Sequence, residues 1–236
     1  MKRPELTEFG RVHVAGIIDD AEAEMLIGCG VTHLGFPLTL DYHREDLSPE
    51  AAAAIVARHG DRATFFLITY LNRADEIAVL AGKLGVGMVQ LHGEIGGGEL
   101  ERLRVLAPDL NILKSLIVRG NNEAALIEAA ERLAPLVDAF ITDTFDRSTG
   151  ASGATGKVHD WAVSRALVKA CPKPVILAGG LNPDNVGAAI RAVRPAGVDV
   201  HTGIEGVDGR KRRDLTLRFV AEARAAFAEI DVSQAG

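Results

Sequence analysis

One pattern repeats along the whole chain. A short apolar run rich in β-branched residues is followed by a polar or glycine-rich loop, and then by a segment rich in Ala, Leu, Glu and Arg with helical spacing. Eight such runs predict strands over residues 12–17, 31–38, 63–69, 86–91, 112–118, 137–143, 174–178 and 198–201. Because a helical segment follows each run, the pattern predicts eight strand–helix units.

Helix start signals support this division. Asp19 and Asp20 precede the first helical segment. Ser48, Pro49 and Glu50 supply a capping hydroxyl, a proline at the first helical position and an acid in the first turn of the second helix. The remaining helices are predicted to begin near Asn72, Glu99, Asn122, Asp160, Asn182 and Arg213.

The length of the units predicts the fold class, which is α/β. The 236 residues give about 30 residues for each unit, the usual length of a βαβ step. Runs that are apolar throughout, such as residues 174–178, are typical of parallel strands buried on both faces. No linker divides the chain, so we expect a single (β/α)8 TIM barrel domain over residues 1–236, with a flexible tail over residues 231–236.

An open, doubly wound sheet is the alternative fold, because hydrophobic periodicity alone does not show that a sheet closes. The sequence AGIIDD after the first predicted strand lacks the GxGxxG fingerprint of a dinucleotide-binding sheet. The sequence therefore favours the barrel and gives no indication of a nucleotide cofactor.

Charge and cysteine content narrow the function classes. With 26 Lys and Arg against 32 Asp and Glu, the chain has no basic excess for binding a nucleic acid backbone. The two cysteines, Cys29 and Cys171, are too few for a disulfide framework or a four-ligand zinc site, and they suit a reducing cytosol. There is no signal-peptide apolar region before Asp19 and no apolar run of 18 residues. We expect a cytoplasmic protein without nucleic acid or membrane partners.

Candidate chemistry lies where the strands end, because barrel enzymes carry their active sites at the C-terminal ends of the strands. This rule selects Asp19, Arg44, Gln90, His92, Asp143, Gly179, Gly180, His201, Thr202 and Gly203. Barrels commonly bind phosphate between the loops after strands 7 and 8. Glycines let the backbone approach a ligand, so we predict phosphate binding by Gly179 and Gly180 together with Thr202 and Gly203.

Several segments together resemble the phosphoribosylanthranilate isomerase family of tryptophan biosynthesis. They are VAGIIDDAEAE, THLGF, SPEAAAAIV, VQLHGE, TDT, GATGKVHDW, ILAGGLNPDNV and VDVHTGIEGVDGRKRRD, and they run nearly from end to end. The combination of VQLHGE with LAGGLNP is distinctive. The resemblance implies a barrel enzyme that converts a phosphoribosylamine into a ketose by an Amadori rearrangement.

The resemblance also implies one half of the catalytic machinery. The general acid of the family is an aspartate on strand 6, which corresponds to Asp143 in FITDTF. The general base of the family is a cysteine on strand 1, where this chain has Ala15. Cys29 and Cys171 are expected at the opposite end of the barrel, so neither can replace it. The candidate replacement bases are His201, His92, Asp41 and His43, because imidazole and carboxylate groups accept protons near neutral pH.

The substrate-binding positions also depart from the family pattern. Arg44 corresponds only approximately to a family arginine, because the segment before Ser48 is one residue longer. The family sequence Gly-Gly-Thr-Gly after strand 6 is Gly153-Ala154-Thr155-Gly156 here. Arg44, Gln90, Gly153 and Thr155 are the predicted substrate-binding residues.

Two other functions are open on the sequence alone. Lys114 could form a Schiff base in a lyase or aldolase, although a buried structural lysine is the alternative interpretation. A protein that kept the phosphate site and lost the base could be a ligand sensor. The basic run from Arg210 to Arg213 is expected to form a solvated face. No residue set has the spacing of metal ligands, so neither metal nor cofactor is predicted; a small phosphorylated substrate is the expected partner, and the oligomeric state is open.

Overall fold

The computed structural model of the protein describes residues 11–39, 47–120, 122–144 and 161–232. Eight parallel strands form a closed barrel in chain order. The strands are β1 (Val12–Ala15), β2 (His33–Pro37), β3 (Thr64–Thr69), β4 (Met88–Leu91), β5 (Asn111–Val118), β6 (Ala139–Thr144), β7 (Val175–Leu177) and β8 (Gly197–Val200). Because β1 pairs with β8, the predicted (β/α)8 barrel is confirmed and the open-sheet alternative is wrong.

A helix follows each strand. The helices are α1 (Asp20–Gly28), α2 (Pro49–His59), α3 (Ala74–Leu84), α4 (Gly97–Leu106), α5 (Glu123–Leu133), α6 (Trp161–Ala170), α7 (Val186–Val193) and α8 (Arg213–Val232). The predicted caps of the first two helices are confirmed. Asp19 Oδ1 accepts a hydrogen bond from the Glu22 amide at 2.8 Å, and Ser48 Oγ accepts one from the Ala51 amide at 3.2 Å. No helix within the described ranges is both long and apolar enough to cross a membrane.

The ends of several elements differ from the sequence prediction. Ile17 and Leu38, predicted to end strands, are fully buried but lie beyond the paired residues of β1 and β2. Their amides still donate hydrogen bonds to the neighbouring strands, from Ile17 to the Gly35 carbonyl at 3.3 Å and from Leu38 to the Ile68 carbonyl at 2.9 Å. At the C-terminus α8 includes Asp231 and Val232, which were expected in the tail, and Asp231 pairs with Arg11 at 3.0 Å.

The core has two layers, one on each face of the strands, because successive side chains of a strand point to opposite faces. One cluster lies inside the barrel and consists of Ala15, Phe66, Ile68, Met88, Leu113, Ala139, Ile141, Ile176 and Ala178. A larger cluster lies between the strands and the surrounding helices. Since neighbouring side chains of a strand point to opposite faces, the inward rows continue into a set of polar residues: Gln90, Ser115, Asp143 and Asp199. These rows lead to the candidate site.

Candidate active site

Asp143 lies near the C-terminal end of β6 and points into the barrel, in the same inward row as Ala139 and Ile141. Its side chain is buried; Oδ1 accepts a hydrogen bond from the Thr144 amide at 2.7 Å, and Oδ2 lies 3.8 Å from Nδ1 of His92. Burial raises the pKa of the Asp143 carboxyl, and the neighbouring His92 and the Thr144 amide oppose this effect only in part. A carboxyl group that keeps its proton at higher pH than usual is suited to act as a general acid.

The side chain of His92 lies close to that of Asp143 at the C-terminal end of the barrel. Its Nδ1 lies 3.1 Å from Oγ of Ser115, which also accepts a hydrogen bond from Nε2 of Gln90 at 3.2 Å. The edge of the His92 ring packs against Tyr70, with 4.8 Å between ring centroids. The structure therefore brings Gln90 and His92 together at Ser115, with Asp143 beside His92. Sequence reasoning missed Ser115, which the inward alternation of β5 with Leu113 could have identified.

His201 lies elsewhere, at the end of β8 beside β1. Gly16, which follows Ala15 on β1, has a φ of +80° and lies directly under the His201 ring; a Cβ atom on this glycine would come within 2.1 Å of His201 Nε2. The same Nε2 atom lies 3.5 Å from Oε1 of Glu205. The imidazole of His201 therefore lies against Gly16, the residue that follows Ala15, and Ala15 is the position at which the resemblance predicts a thiol.

Asp199 is a buried carboxyl group that sequence reasoning missed. It precedes His201 by two residues on β8 and therefore lies in the same inward row. Its Oδ1 accepts no hydrogen bond from the described residues. Burial, reinforced by the charge of Asp143, raises the pKa of Asp199 to about 8, although Lys211 acts in the opposite direction. The barrel thus contains two carboxyl groups whose pKa values burial raises.

The two predicted phosphate-binding loops touch each other. Gly179 and Gly180 adopt φ values of +99° and +68°, in the region that favours glycine. Thr202 begins a short 3₁₀ helix, Thr202–Ile204, directly after His201. A Cβ atom on Gly203 would come within 1.8 Å of the Leu181 carbonyl oxygen, so the loop after β8 approaches the loop after β7 as closely as a glycine allows.

Two asparagines fix the loop after β7. Asn185 donates a hydrogen bond through Nδ2 to the Gly180 carbonyl at 2.9 Å and accepts one through Oδ1 from the Asn182 amide at 2.8 Å. Asn182 in turn accepts a hydrogen bond from the Asp184 amide at 2.9 Å. These contacts hold the glycine backbone in one conformation, which lowers the entropic cost of binding an anion there.

Lys114 does not point toward the barrel interior. It alternates on β5 with the inward-facing Leu113 and Ser115, and its Nζ donates hydrogen bonds to the carbonyls of Leu91, Gly93 and Ser115 at 3.0 to 3.2 Å. Burial lowers the pKa of Lys114 to about 8. The structure favours the buried structural lysine over the Schiff-base alternative, since the amine is enclosed by main-chain acceptors on the outer face of the strand.

The basic run at the start of the last helix also differs from the sequence prediction. Lys211 is not part of a solvated face, because its side chain is 1% exposed. Its Nζ lies 2.7 Å from Oε1 of Glu205 and donates a hydrogen bond to the Gly16 carbonyl at 3.2 Å. An internal ion pair compensates for the cost of burying this charge.

The two cysteines lie where they were predicted. Cys29 caps the C-terminal end of α1 before β2, and Cys171 follows α6 before β7, so both lie at the N-terminal end of the barrel. Burial raises the pKa of both thiols, which disfavours the reactive thiolate. Neither cysteine can supply the missing base.

Several candidate residues lie outside the described part of the chain. They are the predicted substrate-binding residues Arg44, Gly153 and Thr155 and the alternative bases Asp41 and His43. Within the described ranges, no group of three or more His, Cys, Asp or Glu side chains is placed to hold a metal ion.

The fold and site define a class of protein, namely (β/α)8 barrel enzymes with buried carboxyl groups and glycine loops at the C-terminal ends of the strands. The family described as N-(5'-phosphoribosyl)anthranilate (PRA) isomerase matches residues 29–222. The chain is 37% identical over 221 residues to N-(5'-phosphoribosyl)anthranilate isomerase 2 of Methanosarcina mazei, with 93% of this chain and 96% of the relative covered. The chain therefore belongs to the phosphoribosylanthranilate isomerase family.

Solved structures agree with this assignment. The phosphoribosylanthranilate isomerase of Thermotoga maritima is 27% identical with a TM-score of 0.77, and the match covers 91% of this chain and 98% of that one. A phosphoribosylanthranilate isomerase in complex with reduced 1-(o-carboxyphenylamino)-1-deoxyribulose 5-phosphate is 26% identical with a TM-score of 0.74 and the same coverage. The match to the family begins after β1, the strand that carries Ala15.

Proposed function

We propose that this protein isomerises N-(5'-phosphoribosyl)anthranilate, or a closely similar phosphoribosylamine, to the corresponding 1-amino-ketose. The observation that carries the proposal is the pairing of a buried, neutral-favouring carboxyl at Asp143 with two touching glycine loops at the same end of the barrel. The phosphorylated ketose analogue bound by the 26% identical relative supports the substrate class. The comparisons do not favour the lyase and sensor alternatives.

Asp143 is proposed as the general acid. It gives its proton to the ring oxygen of the ribose while the bond between that oxygen and C1 breaks, and the nitrogen lone pair forms a C1=N bond. His92, 3.8 Å from Asp143, is proposed to orient this carboxyl and the opened sugar rather than to act as the base. Gln90 shares Ser115 with His92 and is proposed to bind the substrate beside them.

His201 is proposed as the general base. It removes the proton from C2, and the electron pair of that C–H bond forms a C1=C2 bond while the nitrogen becomes neutral. The resulting enol then tautomerises to the ketone as C1 gains a proton and the C2 hydroxyl loses one. The position of His201 over Gly16 supports this role, because the ring lies against the residue that follows Ala15, the alanine that stands where the family has its thiol.

The phosphate is proposed to bind Gly179, Gly180, Thr202 and Gly203 through backbone amides and the threonine hydroxyl. Arg44, Gly153 and Thr155 remain proposed substrate contacts, and the single barrel domain over residues 1–236 remains a proposal. We also propose a cytoplasmic location, which the two unpaired thiols of Cys29 and Cys171 support.

The test is the fluorescence-monitored turnover of phosphoribosylanthranilate by the purified protein. We expect turnover by the unaltered chain, and a fall in kcat of about 10²- to 10⁴-fold in both Asp143→Asn and His201→Asn. Glu222→Gln, an exposed change on α8, is the control and should leave kcat unaltered.

An Ala15→Cys variant tests the substrate assignment separately from the assignment of the general base. An inactive parent chain together with an active Ala15→Cys variant would contradict turnover of phosphoribosylanthranilate as the native activity. An active parent whose His201→Asn variant keeps full kcat would leave the substrate assignment intact and exclude His201 as the base.

A further inference from the structure

The loop after β8 returns to cover the end of β1. Glu205 and Lys211 pair across this loop in an isolated antiparallel bridge, and the Gly206 amide donates a hydrogen bond to the Arg210 carbonyl at 2.8 Å. The buried ammonium of Lys211 then reaches the carbonyl of Gly16 at 3.2 Å. The loop is therefore fastened to the residue that follows Ala15.

Glu205 continues this chain of contacts to His201. Its Oε1 atom lies 2.7 Å from Lys211 Nζ and 3.5 Å from His201 Nε2, so one carboxylate oxygen faces both groups. The order of contacts is the Gly16 carbonyl, Lys211, Glu205 and His201. Every member is on the loop that follows β8 or on the turn that follows β1.

We infer that Glu205 and Lys211 are positioning residues that hold the imidazole of His201 over the end of β1 and balance its charge so that it can accept a proton. This inference rests on the proposed role of His201 as the base. It assigns the two residues a function in the reaction beyond closing a loop.

The two residues act on His201 in opposite directions. The Glu205 carboxylate favours a proton on Nε2, which leaves the lone pair on Nδ1, and by itself it favours the charged imidazolium. The Lys211 ammonium neutralises that carboxylate and disfavours the imidazolium. Since a general base must be neutral before it accepts a proton, a carboxylate alone would hold the ring in the wrong charge state.

Gly16 explains why the ring can occupy this place. Any side chain at this residue would overlap the His201 ring, and its φ of +80° is strained for other residues. The alanine at position 15 adds only a methyl group to the barrel interior. Both residues leave room at the end of β1 for an imidazole supplied by β8.

Other charged groups near this loop hold the backbone. Glu22 on α1 accepts hydrogen bonds from the amides of Lys211 at 2.8 Å and Ile18 at 3.2 Å, and Arg210 pairs with Asp19 at 2.6 Å. Asp199 precedes His201 on β8 and favours the neutral form. These groups remain unaltered in the variants proposed below.

The experiment measures the titration midpoint of the His201 imidazole by NMR, with the resonance identified by its loss in His201→Asn. Glu205→Gln removes the carboxylate and leaves the ammonium, so we expect the midpoint to move to lower pH by about half to one unit. Lys211→Met removes the ammonium and leaves the carboxylate, so the midpoint should move to higher pH by a similar amount. The acidic limb of the pH profile of kcat/KM should follow each midpoint.

Three controls separate this effect from a purely structural one. Lys211→Arg keeps the charge and should keep the midpoint, whereas Glu222→Gln and Lys83→Met alter exposed charges on α8 and α3 and should leave it unaltered. Glu205→Gln is nearly isosteric, and it decides the test alone if Lys211→Met does not fold. Midpoints that stay in place, or that move in the same direction in both variants, would overturn the inference.

The NMR measurement does not depend on turnover, so it tests the role of Glu205 and Lys211 separately from the role of His201 as the base. Opposite shifts of the midpoint with full activity in His201→Asn would support the charge balance and exclude the base assignment. Loss of activity in His201→Asn with unaltered midpoints would support the base and overturn the role of Glu205 and Lys211.

Discussion

At the scale of single residues, two buried carboxyl groups and one imidazole define the chemistry. Asp143 and Asp199 face the barrel interior, where burial favours their neutral forms. His201 lies against Gly16, the residue after Ala15, and is the proposed replacement for a thiol at that position. The residues that carry the proposed proton transfers are thus an acid made effective by burial and a base supplied by a neighbouring strand.

Asp199 leads to a prediction about stability and pH. Its pKa is about 8 in the folded chain against 3.8 in an unfolded one, so its contribution to stability is fully present below pH 4 and is lost as the pH rises toward 8. Asn cannot ionise, so Asp199→Asn should remove this loss. The difference in free energy of unfolding between Asp199→Asn and the unaltered chain should therefore grow in favour of the variant as the pH rises from 4 to 8, by up to about 1.4 kcal/mol per pH unit.

Urea unfolding of both proteins across this range measures the difference. A difference between the two proteins that does not vary with pH would contradict the account of Asp199.

Among the structural elements, the loops after β7 and β8 can lie in close contact only because residue 203 is a glycine. Gly203→Ala would place a methyl group against the Leu181 carbonyl and push the two loops apart. We expect KM for the phosphorylated substrate to rise at least about tenfold, the effect of losing one charge-assisted hydrogen bond. Steady-state kinetics and binding of inorganic phosphate would measure this change.

The matched control is Gly82→Ala in α3, where an added Cβ meets no atom within 4 Å. This variant should keep KM and gain up to about 1 kcal/mol of stability, because alanine favours a helix more than glycine does. Equal KM and phosphate affinity in Gly203→Ala and the unaltered chain would exclude these loops as the phosphate site.

A second element-scale prediction concerns the opposite end of the barrel. Arg104 on α4 pairs with Asp138 at 2.6 Å and also donates hydrogen bonds to the carbonyls of Leu136 and Leu110, both at 2.9 Å. Arg104→Met would remove the charged partner of the largely buried Asp138 side chain and leave it the hydrogen bond from the Ile112 amide. This change should lower the free energy of unfolding by about 3 kcal/mol, while KM stays unaltered.

Arg102→Met on the same helix is the comparison, because the Arg102 side chain is half exposed and lies 4.0 Å from Asp75. It should cost less than about 1 kcal/mol. Equal losses of stability in the two variants, measured by urea unfolding, would contradict the structural role of Arg104.

In the whole molecule, the residues that stabilise the barrel and the residues proposed to carry the reaction lie at opposite ends of the strands. Arg104 and both cysteines lie toward the N-terminal ends of the strands, whereas Asp143, His201 and the glycine loops lie at the C-terminal ends. The proposed change of base, from β1 to the residue after β8, would therefore leave the barrel closure unaltered. This arrangement is consistent with a family fold that tolerates replaced catalytic groups.

The packing of the whole chain explains which features of the fold and the site could be predicted from the sequence. The eight strands were predictable because buried parallel strands are apolar throughout, and Asp143 and His201 became candidates because they stand at the ends of such runs. Ser115 and Asp199 were missed because their role depends on which face of a strand each residue occupies. The buried state of Lys211 could not be predicted, because its partners Glu205 and Gly16 meet only when the loop after β8 folds back over β1.

The central claim is that an imidazole from β8 replaces the thiol of β1 in a phosphoribosylamine isomerase. A crystal structure with the reduced ketose phosphate analogue tests it most directly. We predict His201 Nδ1 within about 3.5 Å of C2, the Asp143 carboxyl at the oxygen of C4, and the phosphate at Gly180 and Gly203. A different side chain at C2, with His201 turned away from the sugar, would contradict the claim.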